Sequence, residues 1–402
     1  MLFVGHAASP TGFARVIHSI LEVLPDCYER HHYGINLGAV GGPVVDVGWT
    51  VHANPTDDVQ STARLREVID AVEPQILVIV DEPWVCETHA AAIFERPKCR
   101  TVLYAAIESD FVVPPSCVAA LARLDRIVAF TQFGSEVLAH RFHAAGQERL
   151  PPIEVIPHGV DTGVFFPLAG ADDDGFARSR VAARERLFGP NSGLDDAFIV
   201  LNANRNQPFK RVDLTVKAFA LFARDKPENV KLYLHMANRP CPPDRVPLVD
   251  QYEIRDRVMS TTRGPQHPSI ASAELNLIYN ACDVGLNTSE GEGWGLISFE
   301  HAATGATQIV PRHSACEELW RDAALLVEPD DRDPRARLQR FSGRTLSPER
   351  VAEALELAYT QPQERRRLAR AAFENATRAE YRWHDIARRW HELFQALLDE
   401  SR

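Results

Sequence analysis

Three features predict an α/β protein built from two doubly wound halves. Short apolar runs alternate with helix-length segments through almost the whole chain, the pattern of parallel sheets covered by helices. A proline-glycine passage, Pro157-His158-Gly159-Val160-Asp161, interrupts that rhythm and reads as a boundary or linker. The length of 402 residues is enough for two domains of ordinary size. Two Rossmann-like halves joined near residues 157–167 is the economical architecture.

The elements follow in order. In the first half, Leu2–Val4 reads as a strand and Thr11–Leu24 as a helix. Ile76–Val80, Thr101–Ala105 and Arg126–Phe130 are buried strands, Phe133–His140 is a helix, and Ile153–Ile156 is a short strand. In the second half, Phe198–Leu201 is a strand, Arg211–Arg224 a helix, Lys231–His235 a strand, Ala273–Asn280 a helix and Asp283–Leu286 a strand. Ala237–Pro268 and Pro329–Ser347 are rich in Pro, Arg and Asp and read as loops or insertions. The last helix, Tyr381–Leu398, carries Trp383, Ile386, Trp390, Phe394 and Leu397 at helical spacing, which is a core stripe.

Bulk composition narrows the function. The chain is 45% hydrophobic, and no apolar run approaches the ~20 residues of a membrane span. The start, MLFVG, has no basic region, so a secretory signal is not expected. Seven scattered cysteines without a Cys-x-x-Cys pair read as reduced thiols of a cytoplasmic protein. Net charge is −11, and residues 1–160 hold 11 Lys and Arg against 19 Asp and Glu. That balance disfavours a nucleic-acid partner and gives no basic stripe for docking on an anionic membrane.

The segment Ser289–Pro311 concentrates the chemistry. Glu292 and Glu300 have seven residues between them, Gly293-Trp294-Gly295 and the helical start Leu296-Ile297-Ser298-Phe299. A helix beginning near Trp294 leaves N–H groups without intrahelical partners, and glycines let the backbone approach a ligand. Such an end suits phosphate or sugar oxygens. Leu296, Phe299 and Ala303 share the core face, and Glu300 lies next to it. A carboxylate there needs hydrogen-bond donors, which ligand hydroxyls could supply. If the whole span were helical, the two acids would be at most ~12 Å apart. That separation suits the two ends of one folded ligand better than an acid–base pair on a single atom.

A second constellation is Asn202–Arg211, NANRNQPFKR, which follows a strand and opens a helix. Arg205 and Lys210, five residues apart, offer forked donors and a point charge suited to a diphosphate. A third is the first strand-to-helix loop, Gly5 to Arg15, with His6 and Gly12. Arg15, in the first helical turn, reads equally as a surface cation or a phosphate contact. Acids also follow two first-half strands: Asp81-Glu82 and Glu108-Ser109-Asp110. They are candidates for binding an acceptor hydroxyl, for a base, or simply for capping helices.

On these residues the chain resembles the retaining glycosyltransferases of family 4 (group 1), whose fold is GT-B. The segment from Glu292 matches that family's Glu-x(7)-Glu signature, within E-G-F/W-G-L…E-A/H-A…G-x-P-I/V-V. Arg205 and Lys210 match the spacing of its G-R-L-x-x-x-K-G motif, with Asn204 and Arg211 at the glycine positions. Val155–Asp161 with Phe165 is similar to its V-I-P-N-G-V-D-x-x-x-F linker, with His158 for the asparagine. Ile107 and Glu108 stand where many members carry a first-domain histidine, so the usual catalytic contact there is not matched.

The resemblance implies two Rossmann-like domains facing a central cleft. Residues 1–160, completed by a C-terminal helix at about 381–402, would form the acceptor side, and 161–380 the donor domain. The implied donor is a UDP- or GDP-linked sugar, with no bound cofactor or metal. Glu292 would touch the donor sugar near the reacting centre, and Arg205 and Lys210 would stabilise the leaving diphosphate. Glu300 would hold the ribose hydroxyls. Amides around Gly293, Trp294, Gly295 and Leu296 would cradle the sugar and diphosphate, and Gly12 would let the first loop approach. Glu108, Asp110 and His6 are the acceptor-side candidates. The acceptor would be a small molecule, a glycan or a lipid-linked hydroxyl. A phosphorylase or nucleotide-sugar epimerase on the same fold, and a non-catalytic nucleotide-sugar-binding protein, are the alternatives.

Overall fold

The computed structural model describes residues 1–7, 11–38, 47–54, 58, 60–94, 99–110, 113–147, 150–237, 248–262, 264, 266, 268–330 and 344–400. Two compact units divide the chain: Met1–Gly159 with Ala379–Arg402, and Val160–Arg378.

The first unit runs β1 (Leu2–Gly5), α1 (Gly12–Val23), β2 (His31–Gly38), β3 (Thr50–Asn54), α2 (Thr62–Val72) and β4 (Ile76–Asp81). It continues with α3 (Pro83–Thr88), α4 (Ala90–Ile93), β5 (Arg100–Ala105), α5 (Pro115–Leu121), β6 (Arg126–Ala129), α6 (Gln132–Ala144) and β7 (Ile153–Val155). Its seven strands are ordered β3-β2-β1-β4-β5-β6-β7, and every pairing is parallel. Strands covered on both faces are apolar throughout, and all six residues of β4, ILVIVD, are buried. Thr11 caps α1 by accepting the Ala14 N–H at 3.1 Å.

The second unit runs α7 (Asp173–Phe188), β8 (Phe198–Asn202), α8 (Val212–Ala223), β9 (Val230–Leu234), α9 (Leu248–Gln251), β10 (Val258–Ser260), α10 (Ser272–Ala281) and β11 (Val284–Leu286). There follow α11 (Leu296–Ala302), β12 (Thr307–Pro311), α12 (Ser314–Trp320), β13 (Leu325–Val327), α13 (Pro348–Thr360) and α14 (Pro362–Ala376). Its parallel order is β10-β9-β8-β11-β12-β13. Arg184 of α7 ties this sheet from below. It donates to Asp283 Oδ2 at 2.7 Å, and the same oxygen accepts the Ile199 N–H at 2.8 Å.

The chain then returns to the first unit as α15 (Trp383–Asp399). Ile386, Trp390, Phe394 and Leu397 are fully buried. Trp390 meets Tyr104 edge-on at 4.9 Å, and Phe394 meets Phe3 at 6.4 Å. Gly159 has no room for a side chain, since a Cβ there would meet the Trp383 ring at 2.6 Å.

Several elements depart from the sequence expectations. The stretch read as loop between 237 and 268 contains α9 and β10, and β10 extends the sheet beside β9. Residues 238–247, 263, 265 and 267 of that stretch, 331–343 of the second one, and Ala8–Pro10 of the first loop lie outside the described residues. β2 and β3 were not expected, because HHYGINLG and TVHAN lack an apolar run. The helix expected near Trp294 begins at Leu296 and is seven residues long.

His158 lies beneath α15, and its Nδ1 meets the Tyr104 hydroxyl at 3.0 Å. Burial pushes its pKa down from 6.5 to about 3. Between those values the unfolded chain binds a proton that the folded chain refuses. This contribution to stability is therefore present above pH 6.5 and is lost as the pH falls towards 3. His158→Asn is expected to flatten the fall of the melting temperature between pH 6.5 and 4. An acid slope equal to that of the parent would contradict this assignment.

Candidate functional site

In the second unit the strand order reverses between β8 and β11, the point where open parallel sheets bind ligands beyond their carboxyl ends. The two loops that leave those strands carry the motifs. After β8 the chain passes Asn204 and Arg205 into a 3₁₀ turn, Pro208–Lys210, and enters α8. After β11 it passes Asn287 to Gly295 and enters α11.

Lys210 and Glu292 join the loops. The Lys210 ammonium donates to Glu292 Oε1 at 2.6 Å, and the two residues are only 9% and 5% exposed. The same oxygen accepts from Asn287 Nδ2 and from the Ser289 hydroxyl, each at 3.1 Å. A buried carboxylate needs this kind of saturation. All three contacts fall on Oε1, so among the described residues Oε2 has no partner. The Lys210 ammonium also lies 4.8 Å from the Phe209 ring centroid, and with three donors it retains capacity beyond its hydrogen bond to Glu292.

Further bonds hold the two loops in register. Glu290 donates its N–H to the Phe209 carbonyl at 2.8 Å. The Thr288 hydroxyl bonds the Arg211 carbonyl at 2.9 Å and the Thr215 hydroxyl at 2.8 Å, which in turn accepts from Asn202. Arg211 holds a left-handed backbone, φ +48°, at the position where the resembled motif has glycine. The strain is met by a forked pair with Asp213 at 2.9 and 3.1 Å, an ion pair with Glu290, and a 2.7 Å bond to Thr345. Arg205 is half-buried, and among the described residues its guanidinium makes no ion pair or side-chain hydrogen bond.

Past Glu292, Gly295 takes φ +87°, a backbone conformation that residues with a side chain rarely adopt. Trp294 is buried and stacks on Phe299 at 4.7 Å, and Phe299 packs on Trp320 at 4.6 Å. Leu296 is half-buried. Glu300 is 2% exposed, and its Oε2 accepts from the Tyr279 hydroxyl at 3.0 Å. The donor expected of a ligand is thus supplied in part by α10.

The first-unit candidates are placed separately. Gly12 opens α1 and is exposed. His6 follows β1, half-buried against Phe13 at 5.8 Å. Glu108 is half-buried after β5. Asp110 forms an ion pair with Arg141 of α6, so that carboxylate already has a structural partner.

Residues that pattern reading passed over are Asn287, Ser289, Tyr279, His313 and Ser314. Asn287 and Ser289 were open to inference, since the sequence places these polar side chains a few residues before Glu292, a candidate site acid. Tyr279 and Ser314 belong to other elements and carry no local signal.

A sequence family described as glycosyl transferase-like matches residues 247–392. The D-inositol 3-phosphate glycosyltransferases of Xylanimonas cellulosilytica and Salinispora tropica are 31% identical over 219 residues and 29% identical over 221. These alignments cover 54% and 53% of this chain but 47% and 42% of the relatives, so the chain spans about half the length of the curated relatives it matches. Among solved structures, sucrose-phosphate synthase from Thermosynechococcus elongatus has a TM-score of 0.74 at 16% identity, covering 100% of both chains. Anabaena HepE in complex with UDP and glucose has a TM-score of 0.70 at 14% identity, covering 98% of this chain and 99% of that one. Two parallel-sheet units of this topology give the chain the GT-B fold of these solved structures, and its sequence likeness is to glycosyltransferases. In sequence the chain is similar to the D-inositol 3-phosphate glycosyltransferases, and in fold to sucrose-phosphate synthase and HepE.

Removing the Lys210 cation leaves a buried carboxylate uncompensated. Lys210→Met is expected to lower the unfolding free energy by about 3 kcal/mol, and adding Glu292→Gln should recover most of that. Urea denaturation of both variants checks it. An unchanged midpoint in Lys210→Met would mean that the pair does not bind the loops together.

Proposed function

We propose that the protein is a retaining glycosyltransferase of family 4. It moves a sugar from a UDP- or GDP-linked donor to an acceptor hydroxyl, with the donor held by the second unit. The observation that carries this reading is the juxtaposition of Lys210 and Glu292, at the strand switch point, with a half-buried Arg205 in the Lys210 loop that makes no ion pair among the described residues. The HepE structures with UDP and with UDP-glucose support a uridine donor.

The proposed chemistry assigns each group a task. The bond between the sugar C1 and the β-phosphate oxygen breaks as the acceptor oxygen bonds to C1. Negative charge grows on the departing diphosphate, where the ammonium of Lys210 and the guanidinium of Arg205 stabilise it. The acceptor proton passes to a phosphate oxygen on the same face, which gives retention without a covalent enzyme intermediate. Glu292 grips the sugar near the reacting carbon through its unpartnered Oε2. Glu300 holds the ribose hydroxyls, and the amides from Gly293 to Leu296 lie along the diphosphate. The first unit takes the acceptor, with Glu108, Asp110 and His6 as contacts, and Gly12 lets its first loop approach the donor. The acceptor is a small molecule, a glycan or a lipid-linked hydroxyl. The reaction takes place in the cytoplasm.

Arg205 offers the cleaner test because its loss breaks no ion pair among the described residues. Arg205→Ala is expected to leave the melting temperature nearly unchanged while cutting donor turnover by about tenfold or more. Turnover within about twofold of the parent would remove Arg205 from the diphosphate clamp. UDP, GDP and ADP should be compared by thermal shift, and stabilisation by none of them would overturn the donor site.

A further inference from the structure

The loop that follows β12 holds the backbone from which the Glu292 carboxylate hangs. Ser314, at the start of α12, has a left-handed backbone, φ +48°. Among the described residues, five other than glycine take a positive φ: Glu73, Asn191, Arg211, Glu253 and Ser314. Two of them bear on the Lys210–Glu292 pair. Arg211 follows Lys210 directly, and Ser314 bonds Glu292. This conformation is costly for a residue with a Cβ, whereas glycine adopts it freely. Such strain persists where the surrounding structure makes use of the side chain.

The Ser314 hydroxyl has two neighbours. Its oxygen accepts the Glu292 N–H at 3.2 Å, and it lies 3.2 Å from His313 Nδ1. The buried His313 ring in turn has a backbone hydrogen bond at Ser289, whose own hydroxyl donates to Glu292 Oε1 at 3.1 Å. The residue after Ser314 adds a main-chain bond, because the Ala315 N–H donates to the Glu292 carbonyl at 3.3 Å. The peptide groups on both sides of Glu292 are therefore tied to the β12–α12 loop. Glycine at position 314 would relieve the strain but would lose the bond to the Glu292 N–H.

Two sets of contacts thus determine where the second carboxylate oxygen points. Lys210, Asn287 and Ser289 hold Oε1, and the β12–α12 loop holds the flanking peptides. A side chain fixed at both ends has little freedom left to lose when a ligand binds it. We propose that Ser314 is a positioning residue, holding the Glu292 backbone so that Oε2 meets a hydroxyl of the transferred sugar without rearrangement. It acts through Glu292 and touches no substrate. Among the described residues its hydroxyl bonds neither Lys210, Arg205 nor Glu300, so its effect falls on the sugar and spares the nucleotide. This rests on the donor-site reading above and extends it from the residue that grips the sugar to the residue that aims it.

The test separates the two. Calorimetric titration of the full chain would compare UDP with UDP-glucose, and GDP with GDP-mannose. Ser314→Gly removes the hydroxyl without adding strain, so its melting temperature should not fall by more than a degree or two. Ser314→Asn tolerates the left-handed backbone and returns an oxygen that can accept the Glu292 N–H. Ser314→Gly is expected to weaken the nucleotide sugar about fivefold while leaving the nucleotide within about twofold, and Ser314→Asn should recover part of the loss. Equal weakening of nucleotide and nucleotide sugar would mean that Ser314 merely shapes the loop and would overturn the proposal. Unchanged binding of both would overturn it too, since Glu292 would then need no support from this loop. A parent protein that binds none of the four ligands would refute the donor site itself, and the proposal with it.

Discussion

An ammonium and a carboxylate meet at 2.6 Å between two loops of the second unit, and most of the candidate site is organised by that contact. Lys210 arrives from the loop after β8 and Glu292 from the loop after β11, strands that neighbour one another in the sheet. Their side chains are almost wholly removed from water, where an unmatched charge would destabilise the fold severely. The surrounding donors answer that constraint. Asn287 and Ser289 saturate Oε1, Thr288 and Glu290 fasten the loops through backbone groups, and Ser314 clamps the Glu292 backbone from a third loop. The pair thereby fixes one carboxylate oxygen for structure and, among the described residues, leaves the other without a hydrogen-bond partner.

The sheet explains why the loops are in reach of each other. Parallel strands of this order bring the chain back at the reversal point, so residues 82 positions apart become hydrogen-bond partners. The left-handed Arg211 shows a second consequence. The turn demands a backbone that glycine adopts freely, and this chain supplies it with an arginine held by Asp213, Glu290 and Thr345. The Arg211 cation is therefore committed to the turn, while Arg205 remains available in the proposed clamp.

Much of this was legible in the amino-acid sequence where burial is two-sided. Ile76–Asp81 and Phe198–Asn202 are nearly all apolar because helices cover both faces, so a run of β-branched and aromatic residues was enough to find them. β2 was not legible, because HHYGINLG spends its positions on histidine and glycine and becomes a strand through pairing with β1 and β3. β10 was hidden for a similar reason: three residues in a Pro- and Arg-rich stretch are ordered by β9. In the site, the spacing of Arg205 and Lys210 and of Glu292 and Glu300 could be read directly. That Lys210 closes on Glu292, that Tyr279 bonds Glu300, and that His313 reaches Glu292 through Ser314 are tertiary facts with no local signature.

The central claim is that the Lys210–Glu292 junction is a nucleotide-sugar grip. A crystal structure of the protein with a bound nucleoside diphosphate tests it most directly. The account predicts phosphate oxygens within hydrogen-bond distance of Lys210 Nζ and the Arg205 guanidinium, the ribose on Glu300, and Glu292 Oε2 facing the space beyond the β-phosphate. A nucleotide bound elsewhere, or phosphates that leave Lys210 and Arg205 untouched, would contradict it.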